Sequence, residues 1–284
     1  MKNFCIIGVA GFVAKKHINC IKSLKGDLVA ACDKHDNVGF IDKDFPEAKF
    51  FNNEKLFFSF IKNQKIDYLI ICTPSNLHFK HIKKGLEVGV DVIVEKPPLL
   101  SYTQYKKVIL IEKKIKKKCY CIFQLRGHEK LNILKSKIDK SKKINNVTIS
   151  YTTYRGNWYF KTWKNNVNKS GGLGINIGIH FFDILIWIFG DIKDFKIIRS
   201  SPSKMTGEIK LKKANVKWLL SIEKVLKKDN FSYKFERYMK VNKKKYYFDK
   251  FNDLHKKNYR MIIQEKKFHI SAFKEVIQLM SKLK

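Results

Sequence analysis

Arginine is nearly missing from a chain that is otherwise strongly basic. Only five of its 59 basic residues are Arg (Arg126, Arg155, Arg199, Arg237 and Arg260), leaving 54 Lys against 25 Asp and Glu, a formal charge of +34. Proteins that read bases rely on the planar guanidinium fork, whereas Lys is a point charge. The Lys residues are spread along almost the whole chain, with no helix-turn-helix, zinc or RNP signature. Ile, Asn and Phe, whose codons are AT-rich like those of Lys, are also abundant. The excess therefore reads as coding drift onto solvated faces, and no nucleic-acid partner is expected. A polyanion-binding protein remains the alternative reading of the charge.

Cysteine is sparse too. All six residues lie in the first half, at Cys5, Cys20, Cys32, Cys72, Cys119 and Cys121. Most sit within apolar runs, which suits reduced thiols of a cytoplasmic protein better than a disulfide framework. Cys119 and Cys121 share a strand face but have no second Cys or His pair nearby, so no metal site is expected. Long hydrophobic runs are absent as well. Residues 4–14, flanked by Lys2 and by Lys15 and Lys16, imitate a signal peptide but are too short to span a bilayer. Gly8 and Gly11 interrupt that run where a phosphate-binding turn would need them, so neither cleavage nor membrane insertion is expected.

What is present is an alternation. Through residue 122, short apolar runs alternate with amphipathic stretches, the pattern of a parallel sheet covered by helices. Strands are expected at 4–7, 28–32, 50–51, 68–72, 90–94 and 119–123, with helices at 13–24, 54–62, 77–88 and 102–117. After residue 122 the character changes. Residues 144–154 alternate and are rich in β-formers, as in an antiparallel strand open on one face. A polar, aromatic loop is expected over 155–170 and a helix over 173–189, followed by strands near 194–200, 216–222, 231–241 and 244–249. A helical stripe closes the chain with Ile270, Phe273, Val276, Ile277, Met280 and Leu283. The fold class is α/β: a Rossmann-type parallel sheet in residues 1–122 and an α+β domain on a mostly antiparallel sheet in residues 123–284.

The chemistry begins at the first turn. Gly8, Gly11 and Ala14 form a loosened G-x-x-G-x-x-A fingerprint, with Phe12 and Val13 inside it. It lies between a strand and a helix, where a dinucleotide pyrophosphate needs a tight turn and the helix's first N–H groups. Asp33 ends the second strand about 25 residues after Gly8. A carboxylate there accepts from the adenosine ribose hydroxyls and repels a 2′-phosphate, which favours NAD over NADP. Thr73, Pro74, Asn76 and His78 follow the fourth strand, and Glu95, Lys96 and Pro97 the fifth, at the carboxyl edge where such sheets hold ligands. A Lys at the end of a buried strand is either an amine that desolvation prepares for proton exchange or a side chain that simply emerges into solvent.

This Rossmann half, the Glu95-Lys96-Pro97 element, and Asn176, Gly178, His180 and Asp183 about 80 residues later together resemble the glucose–fructose oxidoreductase/inositol dehydrogenase/rhizopine catabolism (Gfo/Idh/MocA) family. Its pattern is E-K-P followed by D-x-G-x-H-x-x-D. The resemblance implies an NAD-dependent oxidoreductase in which Lys96 and His180 flank the hydroxyl to be oxidised, Lys96 as general base. It places Gln124, like Glu95 and Lys96, among the cofactor contacts, and it implies a homo-oligomer, dimer or tetramer. Asn176 stands where the family commonly has Asp. An amide cannot relay a proton, so Asn176 is left to orient substrate or lysine, on a helix face expected to be shared with His180.

A narrower likeness rests on Gln124, Arg126, Arg155, Asn157, Trp158, Tyr159, Lys161, Trp163 and Lys164. It is to the family's bacterial branch that oxidises the C3 hydroxyl of UDP-N-acetylglucosaminuronate during O-antigen sugar synthesis. It implies that Arg155, Lys161, Lys164 and Lys169 meet the substrate's diphosphate and carboxylate, with Asn157, Trp158, Tyr159 and Trp163 around the sugar. It also implies that 2-oxoglutarate reoxidises NADH in some members. Aromatic packing under a loop is the other reading of the Trp and Tyr residues. The remaining rivals are a dehydrogenase for another sugar, inositol or sugar acid, and a non-catalytic NAD-binding regulator.

Overall fold

The structure is a computed structural model and describes residues 1–225, 235–248 and 253–283. The chain forms two compact units: Met1–Phe123 with Asp253–Lys274, and the described residues of Gln124–Asn252 with those of Glu275–Lys284.

The first unit is a six-stranded, wholly parallel sheet. Its strands are β1 (Asn3–Ile7), β2 (Asp27–Cys32), β3 (Lys49–Phe51), β4 (Tyr68–Ile71), β5 (Asp91–Val94) and β6 (Cys119–Cys121), in the order β3-β2-β1-β4-β5-β6. The order reverses at β1, so the loops after β1 and β4 lie side by side at the carboxyl edge, the usual ligand position of this topology. The run that imitated a signal peptide supplies a central strand, with Phe4, Cys5 and Ile6 wholly buried. The helices are α1 (Ala14–Ser23), α2 (Glu54–Lys62), α3 (His78–Glu87) and α4 (Tyr102–Ile115). Asn53 caps α2 by accepting from Lys55 N and Leu56 N, and Ser101 caps α4 by accepting from Gln104 N.

The second unit holds α5 (Glu129–Asp139) and a sheet of β7 (Asn145–Thr152), β8 (Ile192–Ser200), β9 (Lys204–Leu211), β10 (Ala214–Ser221), β11 (Glu236–Val241) and β12 (Lys244–Tyr247). The order is β12-β11-β7-β10-β9-β8, with only the β7–β10 pair parallel. Trp218 on β10 stacks on Phe195 of β8 and meets Phe182 edge-on, anchoring the sheet's covered face.

Several expectations change. The 155–170 loop contains two helical turns, α6 (Asn157–Phe160) and α7 (Val167–Ser170). The expected helix over 173–189 is broken into α8 (Gly172–Asn176) and α9 (Ile179–Phe189). Gly178 sits at the break, where an added Cβ would lie 2.4 Å from Gly174 O and 2.6 Å from Leu220 Cδ1. The chain there presses against β10 too closely for any side chain. Asn176 and His180 therefore sit on two helices, not on one shared face. Strand β9 was not anticipated, nor was α10 (Leu254–Glu265). Residues 253–274, expected with the second domain, belong to the first unit, where the Phe268 carbonyl accepts from Cys121 N and Phe273 stacks on Phe123 at 4.2 Å. The expected strand at 231–241 is described only as β11, because 231–234 lie outside the described residues, as does residue 249 of the strand expected at 244–249. The C-terminal stripe divides into a 3-10 turn (Ile270–Phe273) and α11 (Lys274–Met280).

No single helix among the described residues is long and apolar enough to cross a membrane. One bent pair, Val167–Asn176 with Ile179–Phe189, passes by length and composition, but α9 is mostly buried and carries the ion-paired Asp183.

Candidate active site

The turn after β1 is built for close approach. Gly8 has φ +85°, and a Cβ on it would come 2.5 Å from Thr73 N and 2.6 Å from the Cys72 carbonyl carbon, so only glycine fits against the turn after β4. Gly8 N donates to Cys32 O at 2.8 Å, drawing the end of β2 into the same corner. There Asp33 accepts from Ala10 N at 3.0 Å and from His35 N at 3.1 Å. The carboxylate is thus fixed against the glycine turn. Val13, at the start of α1, makes no side-chain cap bond, unlike Asn53 and Ser101. Phe12 is 90% exposed at the mouth of the turn. A backbone cradle closed to side chains, an uncapped helix start and a fixed carboxylate are the donor set that a dinucleotide's pyrophosphate and ribose require, so the residues fit NAD.

The Lys96 turn is braced from behind. Glu95 is 5% exposed; its Oε1 accepts from His17 Nε2 at 2.9 Å and His255 Nε2 at 3.1 Å, and its Oε2 accepts from Lys96 N at 3.1 Å. His17 Nδ1 in turn lies 2.7 Å from the Tyr259 hydroxyl. Burial pushes the Glu95 carboxyl up, but the hydrogen bonds and charges of the two imidazoles outweigh it and hold the group well below its ordinary range. Burial pushes the His17 imidazole down. His17 comes from α1 and His255 and Tyr259 from α10, so residues far apart in sequence fix the turn that carries Lys96. The ligand atoms of His17, Glu95 and His255 also lie within 4.8 Å of one another, a separation that a metal ion could bridge. The hydrogen bonds already account for this packing without one. Sequence reasoning missed His17 and His255 entirely. The only signal was a sparse stripe on α10, with Leu254, His255, Asn258, Tyr259 and Ile262 buried.

His78, at 1% exposure, places its ring nitrogens 2.7 Å from Pro97 O and 2.7 Å from Thr73 O, joining the two ligand-edge loops from behind. Burial lowers its imidazole pKa, against the pull of the two carbonyls. Thr73 Oγ1 pairs with His81 Nδ1 at 2.9 Å, while Pro74 is half-buried and Asn76 exposed. Gln124, expected beside the cofactor, opens a 3-10 turn (Gln124–Gly127) of the second unit.

In the second unit the structure joins several predicted residues. Asn176 Nδ2 donates to the Tyr159 hydroxyl at 3.3 Å. Burial pushes the Tyr159 phenol up, opposed by that hydrogen bond and by the Arg155 charge. Lys164 lies 4.9 Å from the centre of the Trp158 ring and is shifted down by burial and by Arg155. Trp163 of the same loop is half-buried, His180 is half-buried at the start of α9, and Asn157, Lys161 and Lys169 are exposed. Asp183, the last motif position, is 1% exposed and accepts from Arg126 Nε at 2.9 Å and Nη2 at 2.6 Å. Burial raises its carboxyl pKa while the guanidinium lowers it. This motif carboxylate therefore anchors α9 to the 3-10 turn that carries Arg126.

Residues 2–123 match the oxidoreductase family's NAD-binding Rossmann fold, and residues 135–217 match its C-terminal alpha/beta domain. The dehydrogenase WlbA (WbpB) from Thermus thermophilus, solved with NAD and UDP-GlcNAcA, is 34% identical with a TM-score of 0.95, over 100% of this chain and 94% of that one. The same enzyme was also solved with NAD and alpha-ketoglutarate. Among curated proteins, the putative oxidoreductase YteT of Bacillus subtilis is 31% identical over 52% of this chain, and the D-glucoside 3-dehydrogenase of Escherichia coli is 25% identical over 65%. Those matches span only 36% and 53% of the relatives' own lengths. The chain belongs to the Gfo/Idh/MocA oxidoreductase family, and its N-terminal domain is that family's NAD-binding Rossmann fold.

Proposed function

We propose that this family member oxidises the C3 hydroxyl of UDP-N-acetylglucosaminuronate, or of a nucleotide sugar of the same acidic kind, to the 3-keto sugar. The observation that carries this reading is the likeness, over the whole chain and at 34% identity, to a dehydrogenase crystallised with that substrate. The Lys96 turn and the cationic loop of the second unit support it.

Bound NAD supplies the two-electron acceptor for the hydrogen on the reacting carbon. Gly8 and Gly11 admit its pyrophosphate, and Asp33 takes its ribose hydroxyls. Lys96 takes the proton from the hydroxyl oxygen as the carbon is oxidised, so that a CH–OH becomes C=O with the proton left on the amine. The Glu95 network keeps that amine's backbone in place. His180 and Asn176 bind the sugar. The Tyr159 hydroxyl fixes the direction of the Asn176 amide, which orients substrate and passes no proton. Exposed Lys161 and Lys169 meet the diphosphate, and Trp158 and Trp163 wall the sugar.

The test is to incubate the protein with NAD and UDP-N-acetylglucosaminuronate and follow the reduced-nicotinamide absorbance, with a parallel reaction that contains 2-oxoglutarate and is assayed for its reduction. Turnover in either format is expected. No turnover in both, alongside activity on a neutral glycoside or an inositol, overturns the substrate reading and leaves a dehydrogenase closer in use to the D-glucoside enzyme.

A further inference from the structure

Arg237, which no motif singled out, completes a cluster around Tyr151. The β7–β11 register sets Arg237 directly opposite Tyr151, and its guanidinium carbon lies 5.3 Å from the centre of that ring. Its Nη2 donates to Thr153 Oγ1 at 2.8 Å. Arg155 Nη2 in turn reaches the Tyr151 hydroxyl at 3.4 Å. The Arg155 charge is also felt by Tyr159 and Lys164, and Tyr159 is bonded to Asn176. Arg155, Tyr151, Thr153 and Arg237 thus form one contact cluster, and the charge of Arg155 reaches the Tyr159 that holds the motif residue Asn176.

The cluster is short of negative charge. Arg155, Lys164 and Arg237 form no ion pair with any carboxylate among the described residues, and the Nε atoms of Arg155 and Arg237 are buried without a hydrogen-bond acceptor. Buried N–H groups of charged side chains are rarely left so, because the water they lose is not replaced. Arg126 of the same unit shows the ordinary solution, a bidentate carboxylate. With no such acid against them among the described residues, these guanidinium groups are natural counterparts of a ligand's acid.

We propose that Arg155 and Arg237, with the hydroxyls of Tyr151 and Thr153, form a subsite for a carboxylate of the substrate, resting on the acidic-sugar reading above. A compact, planar, singly charged group suits half-buried guanidinium forks with shielded Nε donors. The bulkier, doubly charged diphosphate suits the exposed Lys161 and Lys169 instead.

The experiment compares UDP-N-acetylglucosaminuronate with UDP-N-acetylglucosamine, which has CH2OH in place of the carboxylate. Binding to the NAD-loaded protein is measured by calorimetry for wild type, Arg237→Gln, Arg237→Lys and Tyr151→Phe. Wild type is expected to prefer the acid by about tenfold or more, as charge-assisted bonds to a carboxylate allow. Arg237→Gln should abolish that preference without weakening the neutral ligand, and Arg237→Lys should restore it only in part. Unchanged NAD affinity and thermal midpoint confirm that each variant is folded. Equal binding of the two ligands by wild type, or a preference kept in Arg237→Gln, overturns the subsite. If wild type binds neither ligand, the nucleotide-sugar reading fails on its own, and the subsite is judged with 2-oxoglutarate and D-glucuronate. Binding of either that is lost in Arg237→Gln supports it, and binding of neither overturns it.

Discussion

Glu95 is buried and accepts hydrogen bonds from two imidazoles and a backbone N–H, whereas Arg155 and Arg237 donate to hydroxyls and meet no carboxylate among the described residues. The first arrangement is complete within the chain. It sets the position of the Lys96 backbone before any ligand arrives, as the proposed role of Lys96 as general base requires. The second leaves the Nε atoms of Arg155 and Arg237 buried without an acceptor, the feature on which the proposed carboxylate subsite rests. Support and the proposed reception thus leave different marks: satisfied buried charge at the turn that carries Lys96, and unsatisfied donors at Arg155 and Arg237.

The comparison breaks most visibly at Lys96. Lys96→Met should cut turnover by about 10²–10⁴, the range of a general base, while the protein still folds; steady-state kinetics and a melting curve check this. A loss under tenfold would remove Lys96 from the chemistry. Next in size is the buried pair in the second unit. Arg126→Met strands the Asp183 carboxylate and should cost about 3–5 kcal/mol by denaturant unfolding. Arg155→Met strands no carboxylate and should change stability by less than about 1 kcal/mol. Equal losses would erase the distinction between a structural arginine and a receptive one.

Acid sharpens the contrast further. The folded pKa of His17 lies below its ordinary 6.5, so the unfolded chain takes up the proton first and stability falls as pH drops through that value. The Glu95 carboxylate, held well below 4.5, contributes above that pH, and its contribution is lost on further acidification. His17→Gln should lose about 1–3 kcal/mol near neutrality and then lose less than wild type as the pH falls to about 5, read from urea midpoints. A parallel shift of both proteins with pH would contradict this. The smallest effect concerns the thiols. Burial pushes Cys5, Cys20 and Cys32 up to about 12, so a thiol reagent should label none of the three in the native protein and all of them after unfolding.

Legibility followed locality. The β1 turn, Asp33 and Glu95-Lys96-Pro97 could be read because each is a short stretch between a buried strand and a helix, where pattern and turn chemistry coincide. The helix break at Gly178 could not, since residues 173–189 read as one apolar helix and the close packing that leaves no room for a side chain at Gly178 includes Leu220 on a distant strand. Strand β9 was hidden because Lys204, Thr206, Glu208 and Lys210 dilute its buried alternation of Met205, Gly207, Ile209 and Leu211. Helix α10 turns a polar and aromatic set inward, so its stripe does not look apolar. His17, His255 and Arg237 acquire their roles from partners between 78 and 242 residues away, which no spacing along the chain reveals.

The most direct measurement uses UDP-N-acetylglucosaminuronate carrying deuterium at C3 and mass spectrometry of the reaction products. Deuterium should appear in the reduced nicotinamide, or in 2-hydroxyglutarate when 2-oxoglutarate is present, and Lys96→Met should slow its transfer. Deuterium that stays on the sugar while the nicotinamide is reduced would contradict oxidation at C3.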